Sequence, residues 1–135
     1  QEDSGIMNKE QVAKDIEELR EEKNCAQATA MGICKNSDIE VDLDEIANLT
    51  AVFGGGIGGT FDEGTCGAVT GCAIALKFVE ENPEKRPAIM KEVFKKFKDE
   101  YGSVTCGKIS KNGEDKSPCV ECCVYVGELV SDLLE

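Results

Sequence analysis

The chain has 135 residues, carries a formal net charge of −12 at pH 7, and contains neither His nor Trp. Its length suits a single domain with a core of its own, and the negative charge argues against binding to nucleic acid or to anionic membrane surfaces. No apolar run approaches about 18 residues, so no transmembrane helix is expected, and the absence of His excludes Ser-His-Asp and Cys-His catalysis.

Cysteine dominates the composition. There are eight cysteines: Cys25, Cys34, Cys66, Cys72, Cys106, Cys119, Cys122 and Cys123. A secreted disulfide scaffold is one interpretation, but the strong helical periodicity and the number of apolar residues suit a core that needs no disulfides. The first residues lack the basic start and apolar segment of an intact signal peptide, and the removal of a signal peptide stays an open alternative. A cytoplasmic location is therefore expected, where cysteines point to redox or metal chemistry. With Met7 interpreted as the native start, residues 1–7 are expected to be an added extension or a disordered N-terminus, and 8–135 a single helical, cysteine-rich domain.

Helical periodicity begins early in the chain. Residues 8–23 are predicted to form an amphipathic helix, whose apolar stripe contains Val12, Ile16 and Leu19. Residues 24–35 are expected to continue this helix, with Cys25 facing a seam of small residues. Cys34 falls about half a turn away around the helix and is interpreted as an inert, buried or half-buried side chain. After a turn, Asp42 is expected to cap the next helix, because a glutamate follows it at capping-box spacing.

The segment 54–76 starts as a glycine-rich run and becomes a helix. Thr65 is predicted to be the N-cap, which places Cys66 in the first turn, where the helix dipole favours a thiolate. A thiol in such a position can have a pKa lowered from about 8.5 into the range of roughly 3.5–7.5. The helix is predicted to span residues 65–82, buried on every side at the centre of the fold, with small residues that allow close approach of a neighbour: Gly67, Ala68, Gly71 and Ala75.

The glycine run itself does not indicate a nucleotide site. Gly54, Gly56 and Gly59 match G-x-G-x-x-G, but a predicted helix precedes them where a dinucleotide fold needs a strand, and no Lys-Ser/Thr follows for a P-loop. We expect these glycines to let the backbone pass tightly beside Cys66.

Two further helices complete the predicted fold. Residues 84–101 have one apolar stripe and end at Gly102, a residue suited to the C′ position. A loop over 103–116 carries Cys106. The last helix is predicted to open with Ser117 as N-cap and Pro118 at the first helical position, and it carries three cysteines on its apolar face: Cys119, Cys122 and Cys123. No strand is predicted, so the fold class is all-α, with about six helices around residues 65–82.

Two cysteines are thus predicted at the starts of separate helices, Cys66 and Cys119. The Cys119-x-x-Cys122 spacing resembles a redox arrangement in which the first thiol is ionised and the second resolves the mixed disulfide. The βαβ context of thioredoxin-type motifs is missing from this sequence.

Five motifs follow one another along the chain: Asn24-Cys25-Ala26-Gln27-Ala28, Phe53-Gly54-Gly55-Gly56-Ile57-Gly58, Cys66-Gly67-Ala68-Val69-Thr70-Gly71, Tyr101-Gly102-Ser103 with Cys106, and Cys119 at the start of the final helix. This ordered set resembles a known family, the C_GCAxxG_C_C family, for which redox activity is proposed. The resemblance spans roughly residues 9–135 and implies an all-helical fold. Its four signature cysteines map to Cys25, Cys66, Cys106 and Cys119, with Cys122 as an alternative to the last. The resemblance implies that three further cysteines are additions of this member to the signature set: Cys72, Cys122 and Cys123.

Three hypotheses follow from the sequence. In the first, the protein performs thiol–disulfide chemistry without a required cofactor. The activated thiols are Cys66 and Cys119, and their partners are Cys25, Cys106 and either Cys122 or Cys123. The substrate is a redox protein or a small thiol or disulfide.

In the second hypothesis, four thiolates bind Zn²⁺ or an iron–sulfur cluster, those of Cys25, Cys66, Cys106 and Cys119. In the third, the chain is a non-catalytic interaction domain with structural disulfides. The sequence leaves the electron donor, the disulfide pairing and a homo-oligomeric state open.

Overall fold

The computed structural model describes residues 8–37, 40–54, 58, 64–105 and 117–134. These residues form six α-helices: α1 (Lys9–Leu19), α2 (Cys25–Lys35), α3 (Leu43–Thr50), α4 (Gly67–Val79), α5 (Lys85–Tyr101) and α6 (Ser117–Leu133). A short 3₁₀ helix, Ala51–Phe53, follows α3. Within the described ranges no sheet forms, and an isolated antiparallel bridge joins Thr65 to Thr105. The all-α fold class is thus confirmed, while the expectation for residues 1–7 lies outside the described residues.

The first predicted helix is in fact two helices. The chain leaves α1 after Leu19, and a new helix begins at Cys25. Asn24 is the N-cap of α2: its side chain accepts from the Gln27 backbone amide at 2.9 Å, and the Gln27 side chain accepts from the Asn24 amide at 3.0 Å. This reciprocal capping box satisfies two amides at the helix start. The prediction that 24–35 continue the first helix was therefore wrong, and Cys25 stands at the N-terminus of its own helix.

The start of α3 matches the prediction from the sequence. The carboxylate of Asp42 accepts from the backbone amides of Asp44 and Glu45, at 3.0 and 3.4 Å, which is the role of an N-cap carboxylate. The C-terminal end of α3 is tied to the start of α2, because the Asn24 side-chain amide donates to the Ala51 carbonyl at 2.9 Å.

Helix α4 packs most extensively against α2, and two glycines set their separation. A Cβ placed on Gly71 would lie 2.5 Å from the carbonyl oxygen of Ala26, and one placed on Gly67 would lie 2.8 Å from the Cβ of Cys25. Neither distance is compatible with a side chain, so the glycines allow the two backbones to touch. The close approach predicted for these small residues is confirmed at both positions.

The predicted helix 65–82 differs from α4 in three respects. The helix covers Gly67–Val79, and Cys66, rather than Thr65, is its N-cap residue. Thr65 instead forms the bridge to Thr105, and the Cys66 amide donates to the Val104 carbonyl at 2.6 Å. Burial on every side was also too strong a prediction, because Ala73 is exposed. Helix α2 shares the central position, with nine of its eleven residues buried against seven of thirteen in α4.

Helix α5 ends as its sequence predicts. Gly102 adopts a left-handed conformation with φ of 77°, and its amide donates to the Lys98 carbonyl at 2.7 Å. Glycine takes this conformation without the penalty that a Cβ imposes. Val93 and Phe97 are fully buried, whereas Phe94, which helical periodicity assigns to the same stripe, remains 41% exposed.

Helix α6 lies against α1. The two helices pack closely at Gly127, where an added Cβ would lie 2.5 Å from the Cδ1 of Ile16. At the surface, Lys9 and Asp132 form an ion pair at 2.9 Å. The helix begins at Ser117, the residue predicted as its N-cap, so the start is correct to within one residue.

A candidate thiol redox site

Five cysteines from three helices converge in the core at one end of α2, α4 and α6. They are Cys25 at the start of α2, Cys66 at the N-cap of α4, and Cys119, Cys122 and Cys123 on α6. All five are buried, with exposures between 0 and 5%. No disulfide joins any two of the seven cysteines that the structure describes. We refer to these five residues as the cysteine cluster.

Cys25 is placed against α6 by its position at the first turn of α2. Its sulfur is in hydrogen-bonding contact with the thiols of Cys119 and Cys123. The Cys123 thiol also donates to the backbone carbonyl of Cys25, with the sulfur 3.6 Å from the oxygen. Ninety-eight residues separate Cys25 from Cys123 along the chain, so this contact exists only in the assembled fold.

Arg20 brings a positive charge to the same sulfur. It follows the last residue of α1, and its Nη1 donates to the Lys23 carbonyl at 2.8 Å across the turn that leads into α2. From there the guanidinium contacts the Cys25 sulfur. Hydrogen bonds from Cys119 and Cys123, with the charge and hydrogen bond of Arg20, outweigh burial and lower the pKa of Cys25 to about 3.

Cys66 is stabilised as a thiolate by different groups. The Cys122 thiol donates to its sulfur, and the backbone amides of Ala68 and Val69 at the start of α4 point toward it. These contacts lower the pKa of Cys66, although burial and the nearby charge of Cys25 oppose the shift. The sequence predicted a depressed pKa at this helix start, and the amides of the first turn are part of its cause.

The two partner thiols on α6 are shifted in the opposite direction. The pKa of Cys122 is raised, first by its hydrogen bond to Cys66 and then by burial. The pKa of Cys123 is raised by its hydrogen bond to Cys25 and by burial. In both of these contacts, Cys122 with Cys66 and Cys123 with Cys25, one sulfur favours the thiolate and the other keeps its proton and donates it.

Cys34 and Cys72 provide a comparison within the same protein. Both are buried, and burial alone raises the pKa of each to about 12. Their behaviour agrees with the interpretation of Cys34 as inert, and it shows that burial does not account for the lowered values at Cys25 and Cys66. The contacts within the cluster do.

The pairing within the Cys119-x-x-Cys122 motif differs from the sequence interpretation. Cys119 contacts Cys25, whereas Cys122 contacts Cys66. The reason is geometric, because residues three apart on a helix share a face but their side chains reach different neighbours across it. Cys106, expected among the site residues, lies outside the described residues.

For metal binding, the described part of the chain contains no group of three or more His, Cys, Asp or Glu arranged to hold an ion. The four-thiolate set of Cys25, Cys66, Cys106 and Cys119 includes a residue outside that part. A thiol cluster of this chemistry matches the softness of Zn²⁺ or iron–sulfur ligation, but the described sulfurs are in hydrogen-bonding contact as a group of three, Cys25, Cys119 and Cys123, and a pair, Cys66 and Cys122.

Sequence reasoning missed two residues at the cluster, Arg20 and Tyr101. The Tyr101 hydroxyl hydrogen-bonds to the Cys122 sulfur. Arg20 could have been found from the Asn24-x-x-Gln27 capping box, which marks a helix start at Cys25 and makes the preceding residues a turn. Tyr101 belongs to the Tyr101-Gly102-Ser103 motif of the resemblance, but that motif pointed to the end of the helix and to Cys106 and gave the tyrosine itself no role.

Most of the chain matches a protein family. The family model described as "Putative redox-active protein (C_GCAxxG_C_C)" matches residues 23–133. The chain belongs to the C_GCAxxG_C_C family. The match covers α2 through α6 and therefore every cysteine of the cluster, while Arg20 lies just before it. The resemblance inferred from the sequence motifs is thus confirmed.

No curated protein and no solved structure matches this C_GCAxxG_C_C member. Among the helices in the described ranges, none is both long and apolar enough to cross a lipid bilayer.

Proposed function

We propose that this protein is a thiol–disulfide redox protein in which the cysteine cluster cycles between thiols and disulfides. Cys25 and Cys66 are the nucleophilic thiolates, and the α6 cysteines are their partners. The observation that carries the proposal is the convergence of five sulfurs from α2, α4 and α6, in which each depressed-pKa cysteine contacts a cysteine on another helix. Membership of a family described as "Putative redox-active protein" supports the same chemistry.

The chemistry needs only the groups at the cluster. A thiolate attacks one sulfur of a disulfide, and a neighbouring thiol then displaces the substrate and leaves a protein disulfide. Cys25 fits the first role because Arg20 and two thiol donors stabilise its charge. Sequence patterns predicted Cys66 and Cys119 for this role. We retain Cys66 and assign Cys119 as a partner of Cys25, because the two are in contact. Cys106 remains a proposed partner on sequence grounds.

Burial of the cluster limits the class of substrate. The exposure of Cys25 and Cys119 is 5%, and that of Cys66 is 2%. A small disulfide or thiol is therefore favoured over a folded protein partner, whose disulfide would need wider access. We propose the cytoplasm as the compartment, where such thiols are kept reduced and can cycle.

Alkylation of the reduced protein at about pH 6 tests the proposal, because a thiol of ordinary pKa is almost fully protonated at that pH. Iodoacetamide labelling followed by peptide mass spectrometry should modify Cys25 and Cys66 before Cys34 and Cys72. The last two are matched controls, since they are comparably buried but have raised pKa values. Equal, uniformly slow labelling of all four would contradict the proposal.

The two rival functions give different results with the same preparation. A structural disulfide would have a reduction potential below roughly −300 mV, whereas a cycling one should lie between about −180 and −270 mV. A metal or iron–sulfur module would yield stoichiometric zinc or iron when the protein is purified anaerobically. Either finding would replace the redox proposal.

A further inference from the structure

The described contacts divide the cluster into a group of three, Cys25 with Cys119 and Cys123, and a pair, Cys66 with Cys122. Sequence spacing did not indicate Cys122 as the partner of Cys66. The side chain of Cys122 is fully buried, and its thiol donates to the Cys66 sulfur. Cys119, one turn earlier on α6, is in contact with Cys25 instead. Cys66 and Cys25 therefore face different thiols of α6.

Tyr101 is a second side chain in contact with Cys122. The hydroxyl of Tyr101, the last residue of α5, hydrogen-bonds to the Cys122 sulfur. The Tyr101 ring is held by aromatic neighbours, with its centroid 4.9 Å from that of Phe97 and 5.6 Å from that of Tyr125. Packed rings of this kind fix the direction of the hydroxyl.

We propose that Cys122 is the resolving thiol for Cys66, and that the Tyr101 hydroxyl is a positioning residue that favours the Cys122 thiolate during resolution. This inference rests on the proposed redox function and names its second thiol pair. It assigns a specific partner to Cys122, which the sequence motifs gave as an alternative to Cys119 among the signature cysteines.

Electrostatics within the pair set the order of the two reactions. While Cys66 is a thiolate, its hydrogen bond and its charge both raise the pKa of Cys122, so Cys122 stays protonated. Once Cys66 is bonded to substrate sulfur, that charge is gone and both contributions are lost. The Tyr101 hydroxyl, which lowers the pKa of Cys122, is then opposed by burial and by the nearby Cys119, and no longer by Cys66.

The reaction balances without a further reactant. The Cys66 thiolate attacks a small disulfide RSSR, breaking its S–S bond to give Cys66–S–S–R and RS⁻. Cys122 gives up its proton, which ends on one of the two released thiols, and attacks the Cys66 sulfur, expelling the second RS⁻. The substrate disulfide gains two electrons, and Cys66 and Cys122 are oxidised to one disulfide.

The Cys122→Ser variant tests the assignment, with Cys72→Ser as a matched control on a buried cysteine of α4. After brief exposure of the full chain to bis(2-hydroxyethyl) disulfide, the wild type and Cys72→Ser should contain a Cys66–Cys122 disulfide. Cys122→Ser should retain the hydroxyethylthio adduct on Cys66. Both species are identified by peptide mass spectrometry. Clearance of that adduct from Cys122→Ser at the wild-type rate would overturn the inference.

Tyr101→Phe separates positioning from folding, with Tyr125→Phe as its control. Both variants keep the ring, and the Tyr125 hydroxyl donates instead to the Lys96 carbonyl at 3.4 Å. Initial modification of Cys66 should be unchanged in both. The pH midpoint for resolution should move upward by about one pH unit in Tyr101→Phe alone, and an unchanged midpoint would overturn the role of Tyr101.

The outcomes distinguish this inference from the proposed function. If Cys66 forms an adduct that another cysteine resolves, the pair is wrong while redox function stands. If no cysteine of the cluster forms an adduct in any variant, both the inference and the proposed function fail.

Discussion

Arg20 is the positively charged side chain that the structure places beside the cysteine cluster. Its guanidinium is fixed by the bond from Nη1 to the Lys23 carbonyl and contacts the Cys25 sulfur. A fixed guanidinium stabilises an adjacent anion more than a flexible ammonium does, because its donors are already oriented. The reactivity of Cys25 should therefore depend on a residue that carries no sulfur and lies before the family match.

Replacing Arg20 by Met removes this charge while keeping much of the side-chain volume. The pKa of Cys25 should rise, because the thiolate loses both a neighbouring positive charge and a hydrogen-bond donor. The loss of one charge-assisted hydrogen bond should move the midpoint of the Cys25 titration upward by about one pH unit or more. Thiolate ultraviolet absorbance followed during a pH titration measures the change directly.

The control for this experiment is Arg86→Met, because Arg86 donates to the carbonyls of Glu80 and Lys77 at the end of α4. The Arg86→Met variant measures how the loss of any guanidinium changes the thiolate titration. A thiolate titration of Arg20→Met that superimposes on that of Arg86→Met would show that Arg20 does not act on Cys25.

The inert cysteines predict how stability changes at alkaline pH. Burial raises the pKa of Cys34 to about 12, above its value in the unfolded chain, so the folded state favours the neutral thiol. Its contribution to the free energy of unfolding is complete below the unfolded pKa of about 8.5 and is lost as pH rises toward 12. The Cys34→Ala variant has no thiol at this position, so its free energy of unfolding lacks this pH-dependent decrease.

Urea unfolding of the reduced protein at about pH 8 and about pH 10.5 measures the effect. The free energy of unfolding should fall more steeply with pH in wild type than in Cys34→Ala, regardless of the cavity cost of the substitution, which is present at both values. Parallel pH dependences would mean that Cys34 titrates normally in the folded protein.

At the scale of the element, the α2–α4 contact determines whether Cys66 can reach the other sulfurs. The contact depends on Gly71, where a Cβ would meet the Ala26 carbonyl oxygen at 2.5 Å. This obstacle is backbone rather than the end of a flexible side chain, so relief requires the helices to separate. The spacing between Cys66 and Cys25 would change with it.

Gly71→Ala should lower the free energy of unfolding by about 1–3 kcal/mol, the usual cost of overpacking, despite the better helix propensity of Ala. It should also slow labelling or oxidation of Cys66 by changing its distance from Cys122. Denaturant unfolding and alkylation kinetics measure the two effects.

Ala73→Val is the matched control, since it adds bulk on the exposed face of the same helix. Its effect should stay within about 0.5 kcal/mol, as for most surface substitutions. If Gly71→Ala is as well tolerated as Ala73→Val, the close approach of α2 and α4 is not needed for stability.

Sequence patterns predicted the elements better than their boundaries. Residues 20–24 contain good helix formers, so the sequence pattern predicted helix across residues that form a turn in the structure. The capping box of Asn24 and Gln27 was the sequence feature that indicated a new helix start. Thr65 is a better N-cap residue than cysteine in isolation, but pairing with Thr105 draws it into a bridge. Long-range pairing overrode local preference there.

At the scale of the whole molecule, the cysteine pairing could not be predicted because it depends on how three helices are arranged. Motifs indicated which cysteines matter, and the helix-start position of Cys66 indicated a depressed pKa. The sequence contained no comparable sign that Cys122 would face Cys66 while Cys119 faces Cys25. Those contacts join α6 to α4 and α2 across long stretches of chain.

Disulfide mapping by mass spectrometry, on protein oxidised by a small disulfide and again after mild reduction, tests the central claim most directly. We expect new disulfides that join α6 cysteines to Cys25 and Cys66, and that disappear under mild reduction, while Cys34 and Cys72 remain thiols throughout. Disulfides formed through Cys34 or Cys72, or no reversible disulfide within the cluster, would contradict the account.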